Sequence, residues 1–205
     1  MSDFASGDVA QTGLVHIVDD EETIRDSLQF LFASRGIAAQ VWPSGEAFLQ
    51  ANPSAACIIL DVRMGGLSGP EVFDQLRAQG SEAPVIFLTG HADVPIAVQA
   101  LKAGAFDFVE KPFNDNQIVD LALKAIAAHA EQMQKSGARQ DIQRRLDALS
   151  VREAEVMRLM LQGQLNKQIA DILGIAMRTV EVHRSRVMAK MGARNVAELA
   201  AVLKD

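Results

Sequence analysis

The chain is poor in several residue types. Its 205 residues include one cysteine, one tryptophan and no tyrosine. A single thiol, Cys57, excludes an internal disulfide framework and any zinc site built from several cysteines. No apolar run approaches the ~20 residues that span a bilayer. The opening MSDFASGDVAQTG has neither the basic n-region nor the apolar h-region of a secretory signal. The expectation is a cytoplasmic protein with no membrane partner. Core-forming residues are not scarce: 49% hydrophobic and 22% charged is ordinary globular composition, at a length for one large domain or two modest ones.

Charge is unevenly spread. Residues 1–135 carry 8 Lys and Arg against 18 Asp and Glu, a net of −10, whereas residues 136–205 carry 12 against 8, a net of +4. Two domains are implied, the second a candidate for facing phosphates, although uneven surface charge alone would look the same.

The first ~125 residues alternate short apolar runs with helical patterns. Strands are expected at Leu14–Val18, Ala38–Trp42, Cys57–Asp61, Val85–Thr89 and Phe106–Glu110. Helices are expected at Glu22–Arg35, Ser44–Gln50 (with Ser44 as cap), Pro70–Gln79, Asp93–Ala103 and Asp115–Lys135. Ile24, Leu28, Leu31 and Phe32 share one face of the first helix. Five strands alternating with five helices imply right-handed crossovers and a parallel, doubly wound sheet. Functional groups of such a sheet gather at the carboxyl ends of its strands. Here those ends are Asp19 and Asp20, Asp61, Thr89 and Lys111.

Together these groups describe a phosphoryl-transfer site. Three clustered carboxylates cost free energy unless a hard cation neutralises them, and Mg²⁺ takes oxygen ligands of this kind. Asp61 is the nucleophile candidate, Thr89 a hydroxyl donor and Lys111 a cationic partner for phosphoryl oxygens. Cys57 and Trp42 read as core. His91 reads as a loop residue, with tuning of phosphoaspartate hydrolysis as its functional alternative.

Val18-Asp19-Asp20, Asp61-Val62-Arg63-Met64, Thr89-Gly90-His91 and Glu110-Lys111-Pro112-Phe113 together resemble the receiver domain of two-component response regulators. The resemblance covers roughly residues 14–130 and implies a flavodoxin-like α/β fold. It makes Asp61 the phospho-acceptor, with Mg²⁺ held by Asp19, Asp20, Asp61 and the backbone carbonyl of Arg63. It also makes Thr89 and Phe108 the switch residues and the Lys111-Pro112 bond cis. One departure is Met64-Gly65-Gly66, where the family usually has Met-Pro-Gly; the glycine loosens this loop.

Lys135-Ser136-Gly137-Ala138 interrupts the pattern and is taken as the domain boundary, within a linker over residues 131–144 along which the preceding helix can continue. After it come helical patterns at 139–147, 151–162, 166–173, 177–191 and 195–203. Ser150 and Glu153 form a capping box, and Gly163, Gly174 and Gly192 mark ends. Helix, turn and helix at 166–191 is the arrangement that places a second helix in the major groove. Val180, Val187, Met188 and Met191 share its buried face, leaving Glu181, Val182, Ser185 and Arg186 on the other.

Leu149-Ser150-Val151-Arg152-Glu153, Asn166-Lys167-Gln168-Ile169-Ala170 and Thr179-Val180-Glu181-Val182-His183 resemble the LuxR-type four-helix DNA-binding domain over about residues 145–203, within a domain expected at 145–205. With the receiver motifs, the chain looks most like the FixJ subgroup of the FixJ/NarL family. The resemblance places base readers at Glu181, Val182 and Ser185, with Thr179 also at the DNA face; Lys167 and Arg186 are candidates for phosphate contacts. Ala176-Met177 departs from the family's capped helix start. In the last helix, Val196, Leu199, Ala200 and Leu203 suit either internal packing or a dimer seam.

The implied function is a response regulator. A sensor histidine kinase phosphorylates Asp61, which promotes homodimerisation and sequence-specific binding to double-stranded promoter DNA; RNA polymerase is a further candidate partner. Residues 1–13 form a tail. Two other classes share the pocket. A haloacid-dehalogenase phosphatase needs a second Asp two residues after the nucleophile, where this chain has Arg63. Phosphorylation of one residue of its own is not turnover of a substrate, so the chain is not read as an enzyme. A phosphorylation-independent DNA-binding regulator with an inert receiver would keep the helical domain alone at work.

Overall fold

A computed structural model describes residues 14–90 and 94–203, the side chains of Val94 and Ala97 excepted. The N-terminal tail, His91 and Asp93 lie outside the described residues. The chain divides into two compact units between Gln132 and Met133.

The first unit is built on five parallel strands, β1 (Val15–Val18), β2 (Ala39–Trp42), β3 (Cys57–Asp61), β4 (Val85–Thr89) and β5 (Asp107–Glu110), in the order β2-β1-β3-β4-β5. Helices α1 (Glu22–Ser34), α2 (Gly45–Ala51), α3 (Gly69–Ala78), α4 (Val94–Lys102) and α5 (Asp115–Asp147) follow the strands in turn. The central strands are mostly apolar because both faces are covered, with His16 in β1 and the terminal Asp61 and Thr89 as the polar exceptions. Alternate residues feed two cores. Val15, Ile17, Ile59, Ile86 and Leu88 pack with Leu28 and Phe32 of α1 and with Ile118, Ala122 and Ala125 of α5. Val18, Ile58, Leu60, Val85 and Phe87 pack with Phe48, Val72, Phe73 and Ala100 from α2, α3 and α4. Ser44 caps α2 as expected, its hydroxyl accepting from the Ala47 amide at 3.2 Å.

Helix α5 differs from the expected layout. It runs unbroken for 33 residues from Asp115 to Asp147, through Lys135–Ala138, so residues 139–147 are not a separate helix. A mid-helix glycine costs only about 1 kcal/mol relative to alanine, and the flanking Ala, Gln, Met, Lys and Arg residues are strong helix formers that carry the helix across.

The second unit contains α6 (Val151–Leu161), α7 (Asn166–Leu173), α8 (Met177–Met191) and α9 (Val196–Val202). Their core holds Val156, Met160, Ile169, Val180, Val187, Met191 and Leu199. Val196 and Leu203 pack against that core, so the apolar stripe of α9 is used within the unit. The Ser150–Glu153 capping box is present, and Gly174 and Gly192 end their helices in the left-handed conformation. Among the described residues no helix is long and apolar enough to cross a membrane.

Candidate functional site

Strand order reverses between β1 and β3, the place where open α/β sheets form their crevice. Asp19 follows β1 and Asp61 ends β3, so parallel register brings the two carboxylates side by side. Lys111, just beyond β5, reaches both: its Nζ lies 2.6 Å from Asp61 Oδ1 and 2.9 Å from Asp19 Oδ2. Glu21 Oε1 is 3.7 Å from the same ammonium. Asp19 is fully buried and Asp61 only 6% exposed, so neither charge could be held there without such a partner.

Backbone amides hold the remaining oxygens. Asp19 Oδ1 accepts from the Glu21 amide and Asp61 Oδ2 from the Arg63 amide, both at 2.8 Å. Arg25, on the first helix, donates to the carbonyls of Asp19 and Asp20 at 2.8 and 2.9 Å, and so fixes the turn that carries both acids. Burial pushes the Asp61 carboxyl above its ordinary pKa, with Lys111 opposing that shift. For Lys111, burial acts to lower the ammonium's pKa, but hydrogen bonds to Asp19 and Asp61 outweigh it and the net shift is upward. The 2.6 Å contact makes Lys111 and Asp61 a salt bridge across the crevice.

Thr89, at the end of β4, is fully buried, and its hydroxyl donates to the Gly90 carbonyl at 3.0 Å. Its backbone carbonyl accepts from the Lys111 amide at 2.8 Å, tying β4 to the segment that presents the lysine. The Lys111-Pro112 bond is cis. Phe108 of β5 is half-buried against the core that holds Leu60 and Phe87.

The loop from β3 to α3 is pinned at successive positions. The Gly65 amide donates to Asp20 Oδ2 at 2.9 Å and the Leu67 amide to Glu46 Oε1 at 2.8 Å. Ser68 and Glu71 form a capping box that starts α3. Gly69 is required by proximity, since a Cβ there would collide with the Asp61 carbonyl oxygen.

The donors suit Mg²⁺ in chemistry: Asp19, Asp20 and Asp61 are hard oxygen ligands, and one ammonium offsets two buried carboxylates, leaving negative charge for a cation. Their present positions reflect other partners. Lys111 bridges Asp19 and Asp61, and Asp20 is turned to the Gly65 amide. Among the described residues no three His, Cys, Asp or Glu side chains converge as a metal cluster. Arg25, Glu46 and the Gly65 amide carry no motif in the sequence; only the Gly65 departure itself was visible there.

In the helical unit, α8 buries Val180, Val187 and Met191 and leaves Arg178, Thr179, Glu181, Val182, Ser185 and Arg186 exposed. Lys167 of α7 is exposed as well, while Arg184 is half-buried. The last turn of α8 is tied to the start of α6 by Glu153, which takes hydrogen bonds from Lys190 Nζ at 2.6 Å and from the Ser150 amide at 2.8 Å. These bonds, the one from Lys190 foremost, lower its carboxyl to about 2. Arg145 Nη1 donates to the Met191 carbonyl at 2.9 Å, at the end of α8. Ala176 precedes α8 with no side-chain cap.

Residues 15–123 match the response regulator receiver domain, and residues 147–203 match the luxR family of bacterial regulatory proteins. The chain is a response regulator. It is 67% identical to the C4-dicarboxylate transport transcriptional regulatory protein DctR of Rhodobacter capsulatus, over 91% of this chain and 96% of that one. It is 45% identical to the transcriptional regulatory protein FixJ of Azorhizobium caulinodans, over 90% and 89% of the two chains. Among solved structures, the response regulator StyR superposes with a TM-score of 0.87 at 35% identity, covering 93% of this chain and 98% of that one. The response regulator thus pairs a receiver with a LuxR-type DNA-binding domain, the composition of a transcriptional regulator in a two-component system.

Proposed function

We propose that Asp61 accepts a phosphoryl group from a sensor histidine kinase and that this event controls dimerisation and promoter binding. The observation that carries the reading is the meeting of Asp19 and Lys111 on Asp61 at the crevice where strand order reverses. An Asp61 oxygen forms the new bond to phosphorus as the donor's bond to phosphorus breaks. Mg²⁺, held by Asp19, Asp20, Asp61 and the Arg63 carbonyl, would neutralise the phosphoryl oxygens. Lys111, already 2.6 Å from Asp61, supplies a further positive charge to the product.

Thr89 follows the new charge. Its hydroxyl now serves the Gly90 carbonyl, and turning it toward a phosphoryl oxygen vacates space beside β5, into which Phe108 repacks. Phosphate thereby makes contacts available to only one of two receiver states, which is the requirement for shifting their balance. On the helical unit, Glu181, Val182 and Ser185 read base edges with Thr179 alongside, and Lys167 and Arg186 contact phosphates; all six are exposed. Residues 14–130 act as the receiver, 131–144 as the link and 145–205 as the DNA-binding part.

The test is sedimentation velocity and DNA binding with Mg²⁺, with and without beryllofluoride, for the wild type and Asp61→Asn. Promoters of dicarboxylate transport genes are the first fragments to use, given the 67% identity to DctR. The expected result is a shift to dimer and tighter DNA binding in the wild type alone. Equal behaviour with and without the phosphate mimic would instead identify a regulator whose receiver is inert.

A further inference from the structure

Glycine at position 65 is not demanded by the backbone. It has no positive φ, and a Cβ built there would meet nothing nearer than Asp20 Oδ2, at an ordinary 3.8 Å. What the residue contributes is its amide, which donates to that same carboxylate oxygen at 2.9 Å across 45 positions of sequence. The neighbouring points of the loop are held independently, Leu67 by Glu46 and Gly69 by the Val62 carbonyl at 3.0 Å. The Gly65 hydrogen bond is therefore separable from the rest of the loop.

We infer that the Gly65 amide is a positioning group that competes with Mg²⁺ for Asp20, so that metal binding in this chain is coupled to release of the β3–α3 loop at residue 65. The inference rests on the reading of the pocket as a Mg²⁺ site. Asp20 is exposed and does not converge with Asp19 and Asp61, whose carboxylates are bridged by Lys111. To join them, its carboxylate has to shift toward Asp19 and Asp61, away from a charge-assisted hydrogen bond, and whatever part of that bond is lost is subtracted from metal affinity. A residue without an amide hydrogen at position 65 removes the competitor while leaving every carboxylate in place. Proline is that residue, and position 65 lacks the positive φ that would exclude it.

The experiment is calorimetric titration of Mg²⁺ into the chelator-treated full chain, comparing wild type, Gly65→Pro and Gly65→Ala. Gly65→Pro is expected to bind Mg²⁺ about fivefold more tightly, the size of one exposed charge-assisted hydrogen bond. Gly65→Ala keeps the amide and is expected to match the wild type. An unchanged or weaker affinity for the proline variant, or an equal gain for both variants, overturns the inference. A wild type that binds no Mg²⁺ overturns the reading of the pocket along with it. A second readout needs no variant: in amide NMR spectra of the wild type, Mg²⁺ should move the Gly65 proton upfield as its hydrogen bond breaks, while the Leu67 proton stays on Glu46. A Gly65 proton unmoved at saturating Mg²⁺ would also sink the inference.

Discussion

Asp61, Asp19 and Lys111 form an arrangement in which one ammonium serves two buried carboxylates. Burial raises the free energy of each charge, and the local excess is negative, the electrostatic condition on which the proposed Mg²⁺ site rests. These residues were legible in the sequence because each stands at or just past the end of an expected strand. The contacts that tune them were not. Arg25 on two carbonyls, Glu46 on the Leu67 amide and Gly65 on Asp20 engage backbone groups, and such contacts leave no periodicity. His16 is another case. It faces inward on β1, where its Nδ1 accepts from Trp42 Nε1 at 2.9 Å and its Nε2 donates to the Ser54 carbonyl at 3.2 Å. Trp42 therefore does more than pack: its indole fixes the neutral tautomer of the histidine. Burial lowers the pKa of His16, with the bond to Ser54 opposing. The unfolded chain takes up a proton near pH 6.5 that the folded one refuses, so stability falls as pH drops below that value. One proton per molecule bounds the slope at about 1.4 kcal/mol per pH unit. Denaturant unfolding between pH 7 and 5 measures it, and His16→Gln should flatten this part of the profile.

At the scale of elements, helix and strand identity follow from local pattern, and their ends follow from caps. Ser44 and Ser150 cap where expected. The continuous α5 departs from the pattern because one glycine and one serine are a small penalty against a long run of good helix formers. Helix α8 begins with Ala176, whose φ of −66° and ψ of 146° already have cap geometry but whose side chain has no acceptor. Ala176→Ser should therefore stabilise the helical unit by about 1 kcal/mol. The check is thermal unfolding of that unit followed by circular dichroism, with no gain counting against an uncapped helix start. The apolar stripe of α9, which suited two roles in the sequence, packs Val196, Leu199 and Leu203 within its own unit.

For the whole molecule, charge separates with the two units: the first 135 residues are acidic and the remainder basic. A basic unit that meets DNA through phosphates releases counterions, so its affinity depends on salt. Lys167→Ala and Arg186→Ala should each reduce the slope of log affinity against log salt by about 0.9 for every phosphate the side chain neutralises. Glu181→Gln should leave the slope and change sequence preference instead, because a carboxylate at the groove reads bases. Fluorescence anisotropy on a promoter fragment at several salt concentrations tests all three; unchanged slopes for both cations would place the phosphate-binding groups elsewhere.

The sequence by itself determined the elements apart from the full length of α5, the doubly wound class, the acids at the strand ends and the exposed face of α8, because all of these are written in spacing along a few turns or a few strand residues. Tertiary structure alone decided which acids Lys111 bridges, that Asp20 turns to an amide 45 residues away, and that Glu153 joins α6 to α8 through Lys190. Hydrophobic periodicity depends on neighbours near in sequence. The partner of a buried charge is whichever donor the packed strands and helices bring within hydrogen-bond reach, and that is settled only when the chain has closed on itself.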